Sequence, residues 1–127
     1  MATWAKGVDC TTLFIEDLDR TKEFYTRVFG VAVHYEDSTS VVFHLGDTMI
    51  NLITMDSAKG LIAPATASTA DHGSQFQFTI TVDDVDAVCV DLAGRGVTLL
   101  NGPMERPWGV RTASFVDPDG HIFEVAT

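Results

Sequence analysis

The sequence predicts an α+β fold built from two tandem β-α-β-β-β modules. Two matched openings carry this reading: Ile15-Glu16-Asp17-Leu18-Asp19 starts one helical segment and Val82-Asp83-Asp84-Val85-Asp86 starts another, 67 residues further on. Each follows an alternating apolar run, and each helix ends at a glycine, Gly30 or Gly96. Further strand-like runs come after each helix, one set closing at Asn51–Met55 and the other at His121–Ala126. Self-similarity at a fixed offset implies a repeated structural unit. Two such units laid side by side predict a cleft that neither forms alone.

The elements follow in order. Val8 to Ile15 reads as a strand, with Leu13 and Ile15 on one face and Cys10, Thr12 and Phe14 on the other. Asp17 is placed to cap a helix in which Leu18, Tyr25, Val28 and Phe29 share a side, and Gly30 closes it. Strands are predicted at about Val31–Tyr35, Val41–Leu45 and Met49–Met55, the last two joined by a tight turn at Gly46-Asp47. The Ala-, Ser- and Thr-rich stretch from Asp56 to Gly73 reads as a linker with one short helical turn near Ala58–Ile62. Module 1 thus covers about 7–55, the linker about 56–73 and module 2 about 74–126.

In module 2, Phe76, Phe78, Ile80 and Val82 alternate with Gln75, Gln77, Thr79 and Thr81. The next helix carries Val85, Val88, Cys89 and Leu92 in a narrow apolar stripe, so Cys89 reads as a small core residue. Val97–Leu100, a loop at Asn101–Gly109, a strand at Val110–Val116, a type I turn at Asp117-Pro118-Asp119-Gly120 and a final strand at His121–Ala126 complete the chain.

Composition limits the function. With 127 residues, 46% of them hydrophobic and 20% charged, the chain supports a packed core. No apolar run reaches the roughly 18 residues of a membrane span, and Met-Ala-Thr-Trp-Ala-Lys at the start lacks the apolar core of a secretory signal. Two cysteines make no disulfide framework, so a cytoplasmic setting is expected. The net charge of −10 disfavours nucleic acid as a partner. That acidity serves solubility, or alternatively favours a cationic ligand.

Alternation also selects a working face. Residues under the helices are Leu13 and Ile15, and Phe78, Ile80 and Val82; the opposite face carries Cys10, Thr12, Phe14, Gln77, Thr79 and Thr81. In the last strands Met49, Asn51, Ile53 and Met55 fall together, as do Ile122 and Glu124, with His121, Phe123 and Val125 turned away. Glu124, between two large apolar residues, must either pair or face a wet cleft.

Taken together, Phe14-Ile15-Glu16-Asp17-Leu18-Asp19, Phe24-Tyr25, Phe29-Gly30, Val82-Asp83-Asp84-Val85 and the run from Arg106-Pro107-Trp108-Gly109-Val110-Arg111 to Asp117-Pro118-Asp119-Gly120-His121-Ile122-Phe123-Glu124-Val125 resemble the vicinal oxygen chelate superfamily. That family includes glyoxalase I, bleomycin-resistance proteins, fosfomycin-resistance enzymes and extradiol dioxygenases. The resemblance implies a curved, cleft-bearing mixed sheet and a homodimer with clefts formed largely between subunits. Pro-Trp-Gly-x-Arg before Asp-Pro-Asp-Gly is most similar to the antibiotic-binding branch.

Metal-using members place His or Gln on the first strand of each module and Glu on the last. Carried over, those positions are Cys10, Asn51, Gln77 and Glu124. Asn51 and Cys10 depart from the pattern, and none of His34, His44, His72 or His121 falls on a ligand position. No cofactor is therefore expected, with a divalent metal as the alternative.

The expected function is metal-free capture of a hydrophobic or aromatic small molecule, such as an antibiotic. Phe14, Met49, Asn51, Ile53, Met55, Gln77, Trp108, Ser114 and Glu124 would hold it, with Thr12, Thr79 and Thr81 as polar fixtures. Met49 and Ile53 could equally be core, and Trp108 could be buried instead of stacking on a ligand. The alternative is a lyase, isomerase or dioxygenase of glyoxalase type in which Glu124 serves as ligand or general base.

Overall fold

A computed structural model of the chain describes residues 8–74 and 76–127. Gln75 and the N-terminal segment 1–7, with its reading as lacking a signal, lie outside the described residues. The chain divides into two compact units, one running to Ser68 and the other from Thr69 to Thr127.

The first unit comprises β1 (Cys10–Ile15), α1 (Leu18–Phe29), β2 (Val33–Glu36), β3 (Ser40–Leu45), β4 (Thr48–Thr54) and α2 (Met55–Ile62). Its sheet has the order β1-β4-β3-β2, with β1 parallel to β4 and the other pairs antiparallel. Asp17 starts α1 by accepting the Arg20 amide at 3.0 Å. Gly30 ends the helix at φ 66°, a left-handed conformation that glycine reaches without Cβ strain. On the helix side of the sheet Leu13, Ile15, Val41, Phe43, Ile50 and Leu52 are buried, and Tyr25 of α1 stacks on Phe43 at 5.8 Å. Between β2 and β3, Asp37 closes the turn by accepting the Thr39 and Ser40 amides, each at 2.9 Å.

In the second unit a 3-10 turn at Ala70–His72 precedes β5 (Gln77–Thr81), α3 (Val85–Gly94), β6 (Asn101–Glu105), β7 (Arg111–Val116) and β8 (Ile122–Ala126). The sheet order β5-β8-β7-β6, again with its first pair parallel, repeats that of the first unit. Asp84 caps α3 through the Ala87 amide at 3.1 Å. The helix closes with Val97 N–H on the Leu92 carbonyl and Gly96 N–H on that of Ala93, with Gly96 at φ 80°. Val85, Cys89 and Leu92 are buried and Phe115 stacks on Phe123 at 5.6 Å. Burial, followed by the nearby Asp86 charge, pushes the Cys89 thiol pKa up, which suits an unreactive core residue. Both cysteines are free thiols. The Asp117–Gly120 turn forms as expected, with Gly120 N–H on the Asp117 carbonyl at 3.1 Å.

Three sequence expectations are corrected. Met55 is not the last residue of a strand but the first of α2, because the Thr54 hydroxyl caps that helix at the Ser57 amide and turns the chain. The single turn expected near Ala58–Ile62 is accordingly an eight-residue helix, seated by the buried Ala58. The loop expected at Asn101–Gly109 contains β6. Pro103 hides this strand from a propensity reading, yet a proline is tolerated on an edge, where one side of the backbone needs no partner. Among the described residues, no helix is long and apolar enough to cross a membrane.

Candidate functional site

Each sheet has one face under α1 or α3 and an opposite face, here called the free face, and strand register decides which residues share it. In the first unit Thr12 lies beside Asn51, and Asn51 beside Val42. One pleat away in one direction, Cys10, Met49 and His44 form a row; in the other, Phe14, Ile53 and Ser40 do so. Phe14, Met49, Asn51 and Ile53 are half-buried, so Met49 and Ile53 are not interior core. Cys10 and His44 are exposed, and the His34 and His44 rings meet edge to face at 4.3 Å.

Asn51 is the anomaly of this face. Its Nδ2 donates to Thr12 Oγ1 at 3.4 Å, while its Oδ1 is buried and has no hydrogen-bond partner among the described residues. If the amide is turned over, Thr12 can donate to the oxygen, but the nitrogen is then left alone. Either way one strong polar group lacks a partner among the described residues, a condition that costs about 1–3 kcal/mol wherever nothing else meets the group.

The free face of the second unit carries a polar row that crosses all four strands: Thr79, Glu124, Ser114 and Asn101. Thr79 donates its hydroxyl to Glu124 Oε1 at 3.1 Å. Glu124 is half-buried and, among the described residues, has no ion-pair partner. Ser114 is 3% exposed, so it supports the row from beneath more than it offers a contact surface. Asn101 Oδ1 is buried and without a partner among the described residues, as Asn51 Oδ1 is in the first unit. Gln77 lies beside Ile122, one pleat from the Glu124 row, and is exposed. Thr81 lies one pleat away on the other side, beside Ala126.

The register therefore places Cys10 and Asn51 on one free face, and Gln77, Ser114 and Glu124 on the other. Met55 leaves its expected strand, and His121 faces Asp117: its Nδ1 is 2.7 Å from Asp117 Oδ2, which ties the turn together. No group of three or more His, Cys, Asp or Glu side chains able to hold an ion occurs among the described residues.

Trp108 sits at the third position of a turn opened by Arg106 and closed by Gly109 N–H on the Arg106 carbonyl at 3.0 Å. The ring is not part of the core: Trp108 is 69% exposed. Its described contact is the Arg106 guanidinium, 5.9 Å from the ring centroid. Arg106 Nε in turn donates to Thr112 Oγ1 at 2.8 Å. Sequence reasoning singled out neither Arg106 nor Asn101. The adjacent Glu105 suggests a ready partner for Arg106, and only the register shows that Glu105 is taken by Arg111.

A family model described as Glyoxalase/Bleomycin resistance protein/Dioxygenase superfamily matches residues 7–125. The chain is similar to the uncharacterized protein YraH of Bacillus subtilis, 28% identical over 117 residues that cover 89% of this chain and 91% of that protein. It is 32% identical over 123 residues to a probable lactoylglutathione lyase of Vibrio cholerae, covering 91% of this chain and 86% of the relative. A crystal structure of a glyoxalase/bleomycin resistance protein/dioxygenase from Nocardioides superposes with a TM-score of 0.84 at 21% identity, over 94% of this chain and 82% of that one. At that identity the superposition speaks for the fold.

Proposed function

The chain belongs to the glyoxalase/bleomycin resistance protein/dioxygenase superfamily, and from that premise we propose that it binds an apolar or aromatic small molecule, such as an antibiotic, and holds it as a homodimer without a metal and without breaking a bond. Protection then comes from stoichiometric capture, with affinity alone setting the effect.

The observation that carries this reading is Asn51. The position corresponding to the carboxylate ligand of metal-using relatives holds a neutral amide, one end of it bonded to Thr12 and the other buried and, among the described residues, unpartnered. A bound molecule offering one hydrogen-bonding group would complete that amide. The four carried-over donors do not fit a resident divalent ion. Cys10 is a soft thiol, Asn51 and Gln77 offer neutral amide oxygens, and Glu124 alone brings a carboxylate. Hard ions favour several carboxylates, while soft ones favour thiolate and imidazole, and this mixture serves neither well. The half-buried Phe14, Met49 and Ile53 supply apolar contact around Asn51.

A second reading is favoured by Glu124, a carboxylate held by Thr79 on a face with no competing cation paired to it, and by the probable lactoylglutathione lyase among the relatives. Under it the protein is a lyase or isomerase in which Glu124 holds an ion or moves a proton.

Thermal denaturation of protein purified without chelator separates the two. A panel of neutral aromatic compounds and aromatic antibiotics is run with EDTA present, against zinc, nickel and manganese alone. Capture predicts that some compound raises Tm in EDTA; at about 100 times its Kd, a ligand stabilises by ~2.7 kcal/mol. A stoichiometric ion in the purified protein, lost in Glu124→Gln, would overturn the capture reading.

A further inference from the structure

In a chain with a net charge of −10, what each described cation faces is informative. Lys22, Arg27, Lys59, Arg95 and Arg111 each face a carboxylate: Glu36, Glu23, Asp56, Asp91, and Asp86 with Glu105. Arg106 faces a hydroxyl and an indole ring instead. It is half-buried, and its one described side-chain hydrogen bond runs from Nε to Thr112. A guanidinium has five N–H donors, so both terminal nitrogens remain to be matched. Glu105, the nearest carboxylate in sequence, pairs with Arg111, and among the described residues no carboxylate pairs with Arg106.

The surroundings hold this guanidinium in place. Arg106 N–H donates to the Val110 carbonyl at 2.7 Å and the Arg106 carbonyl accepts from Gly109, so both main-chain groups are fixed in the turn. Thr112, 1% exposed, anchors Nε from the free face of the second sheet. Pro107 stiffens the turn that presents Trp108, and the exposed indole ring has an open face beside the cation. A planar donor fork next to a flat apolar ring matches one chemistry: an oxyanion attached to an aromatic or apolar body.

We propose that Arg106 and Trp108 form an anion-and-ring clamp that selects ligands carrying a carboxylate or phosphoryl group beside an aromatic ring. The inference rests on the small-molecule-binding reading and specifies the ligand class. Arg106 Nη1 and Nη2 take the oxyanion, Nε stays on Thr112, and Trp108 covers the adjoining ring. Arginine is required for this because a lysine cannot hold Thr112 and an oxyanion with one rigid fork.

Paired probes test it. Benzoate is compared with benzamide, and phenyl phosphate with inorganic phosphate, by isothermal titration with EDTA present. The wild type should prefer benzoate to benzamide by about tenfold, a difference of ~1.4 kcal/mol, and phenyl phosphate to inorganic phosphate. Arg106→Gln should abolish the preference for the anion, and Arg106→Lys should keep part of it. Trp108→Leu should weaken benzoate and benzamide alike, leaving their ratio intact. Melting curves of Arg106→Lys guard against misfolding as the cause. Equal binding of benzoate and benzamide by the wild type, or a preference that survives Arg106→Gln, overturns the clamp and leaves capture of neutral aromatics standing. Failure of every anionic probe to bind at ten millimolar concentrations overturns it as well, while the neutral panel decides the capture reading separately.

Discussion

Replacing Asn51 with leucine should make the protein more stable and a poorer binder. The two side chains have similar shape, so the substitution removes polar atoms with little change in packing. Removing the buried, unpartnered Oδ1 recovers about 1–3 kcal/mol of desolvation. The bond to Thr12 that disappears is long, at 3.4 Å, and contributes no more than about 0.5 kcal/mol. Val42 and Thr12, the lateral neighbours in register, give the new methyl groups partial cover. The net effect is a gain of about 1–2 kcal/mol, or a rise in Tm of roughly 3–8 °C for a chain of this length. Urea titration followed by both circular dichroism and tryptophan emission measures it; coincident transitions are needed because the chain divides into two compact units. Affinity for the bound compound should fall about tenfold, the loss of one good hydrogen bond. A drop in Tm would refute the reasoning, since it would mean that Oδ1 has a stabilising partner in the free protein.

Three further outcomes follow from the same structure. Asp84→Ala removes the cap on the Ala87 amide and should cost about 1 kcal/mol in urea titration, with ligand affinity unchanged because the cap lies at the helix end of the unit. The Asp37 carboxyl is held down to about 2 from 3.8, chiefly by the Thr39 amide and then the Ser40 hydroxyl. A lowered folded-state pKa means its contribution is present above pH 4 and fades as pH falls toward 2; Asp37→Asn should flatten the stability profile in that window, read by urea midpoints at each pH. Finally, Cys10→His combined with Asn51→Glu replaces the two ill-matched donors, and equilibrium dialysis should show zinc binding by the double variant well above that of the wild type.

Most of the fold was legible because duplication supplied the same signals twice. Asp17 and Asp84 cap helices as their position before apolar stripes implies, and Gly30 and Gly96 close them with positive φ. Alternation assigned the free faces correctly in both units, since a period of two admits only two answers and Leu13, Ile15, Phe123 and Val125 choose between them. What escaped depended on neighbours. The β6 strand contains Gly102 and Pro103, poor strand formers whose place is fixed by pairing with β7. Met55 extends an alternation that Thr54 ends by capping a helix. Alternation gave the candidate residues their places on a strand face, Met55 excepted, but not their condition. No sequence pattern announces that Asn51 is left half-satisfied, that Ser114 is almost wholly covered, or that Arg106 is passed over by every neighbouring carboxylate.

The two modules also show which part of a duplicated fold is free to diverge. Thr12 and Thr79 occupy equivalent strand positions, and each lies beside the central polar residue of its sheet, Asn51 or Glu124. In the second unit the threonine donates to a carboxylate at 3.1 Å; in the first, an amide donates to the threonine at 3.4 Å. The backbone register is the same, yet one pair ends in a charge and the other in a neutral group with an orphaned atom. Helix-facing positions have less room to diverge in this way, since a polar atom among Leu13, Ile15, Phe43 and Leu52 must find a partner within the core. On the free faces such an atom survives where something else can pair with it. Among the described residues Asn51 Oδ1 and Asn101 Oδ1 both stand in that state, one on the free face of each unit, whereas the helix-facing side of each sheet shows none.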